Sequence, residues 1–391
     1  MLDLRRVAQA LEAKRHLFTG YCETQGSLLE HYRRLWLETS ALPRETLESR
    51  LEAIPFPGAR PTAEHDRHEP VIPFRQNWRN HEEARAWARD VLLGVTTIAV
   101  DGSQISPSTD LDPPVGAVQV GWFVNRHDRA GSYVKDIYFE VLAPPELAGD
   151  REEDGDYPDW QVNWRRFQGE CLCLESYMRE HRGCDPAPVC FFDGSLIVSF
   201  AQHMRPERQA LYVQAVTRLL AVSTECRVPL VAYVDASRAA DLVAALDTLE
   251  GRSPSGRISD GAFLRTLLTW GDRTPAWICA RDDLVQPREG KYYEQVAFVY
   301  VKTTADNLPV RLEFPRWILD EGQLERTLDV VRAECVIGNG YPYAIETADA
   351  VSVITMEDRE RFYAAFERFA SGEGLPVRFR RKTGSKGARR S

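Results

Sequence analysis

Two β-prone apolar runs in this chain break off into the same tripeptide. "TTIAVDGSQISP" spans Thr96 to Pro107, "VCFFDGSLIVSF" spans Val189 to Phe200, and each run ends in Asp-Gly-Ser. A carboxylate at the end of a buried strand is costly unless a proton, a partner cation or a metal neutralises it. Strands that lay side by side would bring Asp101 and Asp193 together, and like charges that close repel unless a divalent cation relieves them. The glycine after each aspartate lets a ligand or another backbone approach closely, and the serine hydroxyl is expected to hold the carboxylate in one orientation. Asp-Gly also makes ordinary turns, and Asp235 in "YVDAS" shows that the chain ends another strand with an acid. Recurrence at matching places in the element order favours the paired-carboxylate reading.

That element order is legible from hydrophobic period and breakers. Residues 3–54 carry apolar positions at helical spacing, interrupted near Pro43, and "PFPGARPTAEHDRHEPVIP" reads as a Pro-rich linker. "NHEEARAWARDVLLG" is a helix capped by Asn80 and stopped at Gly94. "TTIAVD", "GAVQVGWFVNR" and "SYVKDIYFEVLAP" are strands with short connections, so an antiparallel meander is expected. A long helix follows from "DWQVNWRRF" to "MREHRG", with Trp164, Phe167, Cys171, Leu174 and Met178 on one face. Then come the strand "APVCFFDGS", a helix over 206–222 and the strand "VPLVAYVDAS". Three strands, helix, strand, helix, strand is the order of the RNase H-like α/β fold, a mixed sheet flanked by helices.

The expected organisation is a helical N-terminal arm and linker over 1–94 and a core over 95–355. A helical insertion is expected at about 238–290, and a C-terminal helix and basic flexible tail over 356–391. The tail, "RFRRKTGSKGARRS", is basic with no acid and reads either as a solubilising end or as a tether for DNA phosphates.

Composition narrows the chemistry. A net charge of −9 excludes a surface coated in base, though not a local nucleic-acid channel. The eight cysteines form no C-x-x-C pair and sit mostly in apolar surroundings, which reads as reduced thiols and leaves little case for zinc. No run of about 18 apolar residues is present, and the N-terminus lacks the apolar centre of a signal peptide, so a cytoplasmic protein off the membrane is expected. His65 and His68 fall in the Pro-rich stretch and read as exposed linker histidines. Trp160, Trp164 and Phe167 could stack on bases, but their helical spacing reads first as core.

Carboxylates suit magnesium or manganese. The long helix offers Glu170 and Glu175, which flank its apolar stripe on opposite sides. Periodicity does not choose between them, and Glu170 is preferred as nearer the helix start. A last candidate segment, "GYPYAIETADAV", carries Tyr341, Glu346 and Asp349, and taken alone reads as a solvated helix face.

These pieces in this order resemble the NurA nuclease family. The resemblance rests on "AVDGSQ", "WRRFQGECLCLESY", "FFDGSL", "FVYVKTTADNLPVRLEFP" and "GYPYAIETADA", and runs from about Thr96 to Thr355. It implies a manganese-dependent deoxyribonuclease with two ions per site, magnesium serving as a weaker substitute. It also implies a homodimer built partly by terminal arms, and a HerA-type hexameric ATPase as partner in processing DNA ends at double-strand breaks. By position, Asp101 and Asp193 match the family's metal-binding aspartates, Glu170 the helix glutamate and Tyr341 the late tyrosine. Asp349 stands where archaeal members tend to have histidine. An aspartate there can ligate metal but cannot protonate a leaving group as an imidazolium would.

Three rivals remain on sequence grounds. An actin-like phosphotransferase would need a second Gly-rich phosphate loop, and none is evident. An Argonaute-type nuclease would need a much longer chain. A catalytically inactive scaffold that loads the translocase onto DNA would need the arms and the tail but not all the carboxylates.

Overall fold

The computed structural model describes residues 2–108, 111–147, 159–254, 256–282 and 292–379, so the basic tail from residue 380 lies outside the described residues. The chain forms two compact units, one of residues 1–77 with 233–321 and the other of residues 78–232 with those from 322 on.

The first unit opens with α1 (Leu4–Glu12), α2 (Arg15–Ser40) and α3 (Arg44–Glu52), the break falling at Pro43 as expected. α2 buries Tyr32, Leu35 and Trp36, while Leu4, Leu11, Leu17, Phe18 and Tyr21 stay exposed. Residues 55–73, expected as a linker, instead carry β1 (Gly58–Pro61) and the one-turn helix Ala63–Arg67. Polar contacts invisible to periodicity hold this stretch. Glu64 accepts from both terminal nitrogens of Arg273, at 2.6 and 2.7 Å, and the Thr62 hydroxyl donates to the Ala276 carbonyl at 2.7 Å. His65, expected to be exposed, is buried edge-on to Trp277 with ring centroids 4.4 Å apart, and desolvation first of all holds its pKa down at about 4.

The segment 238–290, expected to be helical, holds α8 (Asp241–Leu249) and α9 (Asp260–Leu264) but also the strand β8 (Trp277–Ala280). Four residues, all buried, show no alternation to read. With β9 (Val296–Val301) and β10 (Val310–Pro315), β8 and β1 make the antiparallel order β1-β8-β9-β10, and α10 (Trp317–Asp320) follows. Arg311 of β10 is almost wholly buried. It pairs with Asp241 at 2.7 Å and Glu313 at 2.6 Å and lies 3.7 Å over the Phe298 ring.

The second unit starts with α4 (His81–Leu92), capped by Asn80, whose side chain accepts from the Glu83 N–H at 3.0 Å. Next come β2 (Thr97–Ile105), β3 (Leu111–Asp112), β4 (Gly116–Asn125), β5 (Tyr133–Leu142), α5 (Pro144–Leu147), α6 (Trp160–Glu180), β6 (Val189–Asp193), α7 (Pro206–Cys226) and β7 (Leu230–Val234). The chain later adds α11 (Leu324–Ile337), α12 (Tyr343–Ser352), α13 (Met356–Gly372) and β11 (Arg378–Phe379), which pairs with β3. The main sheet runs β7-β6-β2-β4-β5. β2 is antiparallel to β4 and parallel to β6, and β4 is antiparallel to β5. A mixed sheet with its first strand in the centre, a meander on one side and the fourth and fifth strands on the other, flanked by helices, is the RNase H-like arrangement.

β2 corrects one expectation. It does not end at Asp101 but continues to Ile105, because β4 pairs with it along its whole length. Only β6 stops at its aspartate.

Candidate active site

The parallel register fixes the first pair. Thr97 through Val100 face Val189 through Phe192, so the next step along the two strands sets Asp101 beside Asp193. Neighbouring strands lie about 4.8 Å apart, and the two carboxylates share one neighbourhood. Asp193 stays accessible, yet its pKa is pushed up to about 6, first by partial desolvation and then by the charge of Asp101. The hydroxyl of Tyr341 donates to Asp193 at 3.2 Å.

α12 brings the next groups. Ser352, in its last turn, donates to Asp101 at 2.6 Å, and Asp349 lies within hydrogen-bonding reach of Asp101. The pKa of Asp349 is raised, by desolvation and by Asp101. The buried Glu334 of α11 anchors the start of α12, accepting from the Ala344 N–H at 2.9 Å and from the Thr97 hydroxyl at 2.9 Å. A helix is thus tied to the base of β2, and its acidic residue is held over the middle of that strand.

Glu170 arrives from the other side. Asp101 and Gly102 are consecutive on β2 and point to opposite faces: Asp101 faces α12, Gly102 faces α6. A Cβ on Gly102 would lie 2.5 Å from the Glu170 carboxylate and 2.6 Å from the Arg166 side chain. The first Asp-Gly therefore makes room for the helix that carries Glu170. The second glycine serves another need, since Gly194 has φ +128°, which other residues rarely adopt. Glu170 is buried, and its pKa is raised to about 7 by desolvation, partly offset by Arg166 and reinforced by Asp101 and Asp193. Arg166 donates to it at 2.6 Å. Glu175 points elsewhere, to Arg218 of α7 at 2.6 Å. The structure thus separates the two glutamates that periodicity left open.

The serines of the two tripeptides behave differently from expectation. Ser103 accepts from the Ile354 N–H at 3.2 Å, and Ser352 takes the orienting role on Asp101. Ser195 closes a turn onto Ile197. Asp235 is exposed and accepts from its own neighbour Ala236, an ordinary turn acid.

Asp193 lines two cavities. One, of about 280 Å³, is bounded by Tyr341, Ile345, Glu346 and Asp349. The other, of about 360 Å³, is bounded by Arg166, Glu170 and a set of aromatic rings. The donor set is all carboxylate oxygen, the kind that magnesium and manganese take. Three of its members carry raised proton affinity to which Asp101 contributes, which a divalent cation would relieve. The chemistry of the set fits such an ion. As the side chains stand, no three acids, histidines or cysteines among the described residues converge closely enough to enclose one. Glu170 faces Arg166 instead, so closing a shell around an ion needs that contact to open.

A mixed sheet with carboxylates on the long strand β2, on the neighbouring strand end and on the flanking helices defines an RNase H-like nuclease scaffold. The NurA domain model matches residues 95–354, and the chain belongs to the NurA family, the nuclease family whose motifs it resembles. The crystal structure of NurA with manganese is similar at a TM-score of 0.43 and 11% identity, covering 75% of this chain and 94% of that one. The catalytic domain of human Endonuclease V is similar at a TM-score of 0.35 and 12% identity, covering 76% and 96%. Among curated proteins none matches the chain. No helix among the described residues is long and apolar enough to cross a membrane.

Proposed function

We propose that this protein is a metal-dependent deoxyribonuclease that hydrolyses phosphodiesters at DNA ends. The observation that carries the reading is the β2–β6 register, which sets Asp101 beside Asp193 with Asp349 and Glu170 at their flanks. Asp101, Asp193, Asp349 and Glu170 would hold manganese or, less well, magnesium. Two such ions would neutralise the phosphate and activate water for in-line attack. Ser352 fixes Asp101, Tyr341 fixes Asp193, and Arg166 holds Glu170 until the site is loaded. Asp349 makes the fourth ligand an oxygen where an imidazole could have served as acid, so proton delivery to the leaving oxygen falls to solvent. A homodimer, a HerA-type hexameric ATPase partner, end processing at double-strand breaks and a cytoplasmic location belong to the same proposal, and rest on family membership.

End-labelled single- and double-stranded DNA incubated with manganese, magnesium or EDTA tests the reading, with Asp101→Asn beside the wild type. Degradation that needs metal and Asp101 supports it. The Arg166–Glu170 ion pair favours a second reading, because it leaves Glu170 already neutralised: an inactive scaffold that loads a translocase. No cleavage by the wild type in either metal, with or without the ATPase, would favour that scaffold.

A further inference from the structure

The larger cavity beside Asp193 has a construction that carboxylate chemistry does not require. Its wall is Phe167, Phe192, Phe200, Met204 and Tyr212, and Arg166 stands at the edge shared with Glu170. Phe167, Phe192 and Tyr212 are buried and lock one another edge to face. Phe167 meets Tyr212 at 5.0 Å and Phe192 at 5.8 Å between ring centroids. Phe200 meets Tyr212 at 5.1 Å and Phe167 at 6.1 Å, yet remains 51% exposed. A large ring held by two buried rings, half exposed and lining a cavity, can serve as a stacking platform. The polar edge is ordered as well: Asn163 accepts from Gln104 at 2.6 Å, and Gln104 accepts from Arg166 at 3.1 Å.

The two cavities at Asp193 are unlike. The one lined by Tyr341 also carries Glu346 and Asp349, so it is acidic and has one ring where the other has four. The one beside Glu170 has rings and an arginine, and at about 360 Å³ it is at the small end for a ligand site. A strand whose phosphate sits at Asp193 has its neighbouring nucleoside within reach of Phe200. Aromatic faces take any base by stacking, without reading sequence.

We propose that this cavity binds the nucleobase adjoining the scissile phosphate, with Phe200 as the stacking residue, so that an unpaired end is gripped by its base and not by its phosphates alone. The proposal rests on the nuclease reading, and it adds a preference for strands whose terminal base is unstacked. Phe200 lies in the one-turn helix Ser199–His203, a few residues past Asp193, which ties the platform to the strand that carries the carboxylate.

The test uses the full chain as wild type, Phe200→Ala and Phe200→Tyr. Oligothymidylates with an intact or an abasic terminal nucleotide are cleaved in manganese. The same oligonucleotide with terminal 2-aminopurine is followed by fluorescence in calcium. The wild type and Phe200→Tyr should prefer the intact end by roughly tenfold in kcat/KM, as expected for one stacked base. Phe200→Ala should lose that preference, mainly through KM, and should lose the quenching of 2-aminopurine. Cleavage by the wild type with equal preference in Phe200→Ala would overturn the proposal and leave the nuclease reading standing. If the wild type cleaves nothing, the nuclease reading fails and fluorescence alone decides. Quenching that depends on Phe200 then keeps the base pocket, and absence of quenching removes it.

Discussion

The two units of this protein use clustered acids in opposite ways. In the first, Asp241 is held by Arg281 and Arg311, and Arg311 also answers Glu313. Desolvation alone would raise the pKa of Asp241, but the two arginines outweigh it and hold the carboxyl below its ordinary range. Asp260, beside them, accepts from the N–H groups of Leu242 and Val243 and from the Tyr300 hydroxyl. In the second unit, Asp101 and Asp193 face each other and Asp349, with hydroxyls where the first unit has guanidinium groups. Glu170 pairs with Arg166, whose charge also reaches Asp193. The arginines pair Asp241 and Glu313, and burial beside Asp241 raises the pKa of Asp260 to about 6, so this cluster is closed on itself and serves the fold. The other is left short of positive charge beside two cavities, which is what a site awaiting a cation requires.

That contrast makes opposite demands on mutation. The largest effect is expected from Arg311→Met, which leaves Asp241 and Glu313 under-compensated in the core and should cost about 3–5 kcal/mol in a denaturant titration. Asp101→Asn should do the reverse. It relieves repulsion, so unfolding should stay within about 1 kcal/mol of the wild type, while metal-dependent cleavage falls by roughly a hundred- to a thousandfold. An Asp101→Asn protein that unfolds as readily as Arg311→Met would erase the distinction between the two clusters.

Acid should act on the first unit through His65. Its folded pKa of about 4 lies below the unfolded 6.5, so the native state binds fewer protons than the unfolded chain in that interval. The stability it contributes is fully present above pH 6.5 and is lost as pH falls toward 4, by up to about 3 kcal/mol. Chemical denaturation across that window, wild type against His65→Leu, should show the slope flattened in the variant. The smallest effect is expected of Gly102→Ala. Its methyl would press Glu170 and Arg166 outward, so activity should fall about tenfold with a stability change of about 1 kcal/mol. Unaltered activity would remove Glu170 from the site.

Legibility in the sequence followed the range of the interactions. α6 and β6 were readable because their apolar runs are local and their ends are marked, whereas α12, expected as a solvated helix face, buries Ala344, Ile345, Thr347, Ala348 and Ser352. Asp101 and Asp193 were readable as a pair because the element order predicts parallel neighbours. Ser352 was not, since it meets Asp101 across 251 residues and nothing near Asp101 announces it. Glu170 could not be told from Glu175 by period, because the decision lies in the missing Cβ of Gly102 on another element. Its i,i+4 partner Arg166 was a local signal that could have marked it. β1 and β8 escaped because four-residue strands have no alternation to show, and β1 contains Gly and Pro.

The central claim is that the second unit's carboxylates are a cation site, and the most direct measurement is thermal unfolding of wild type and Asp101→Asn against manganese concentration. A ligand that binds only the native state adds about 2.7 kcal/mol at a hundredfold excess over Kd. A cation site at Asp101 requires a wild-type midpoint that climbs with manganese and a variant midpoint that does not. Equal shifts in both proteins, or none in either, would contradict it.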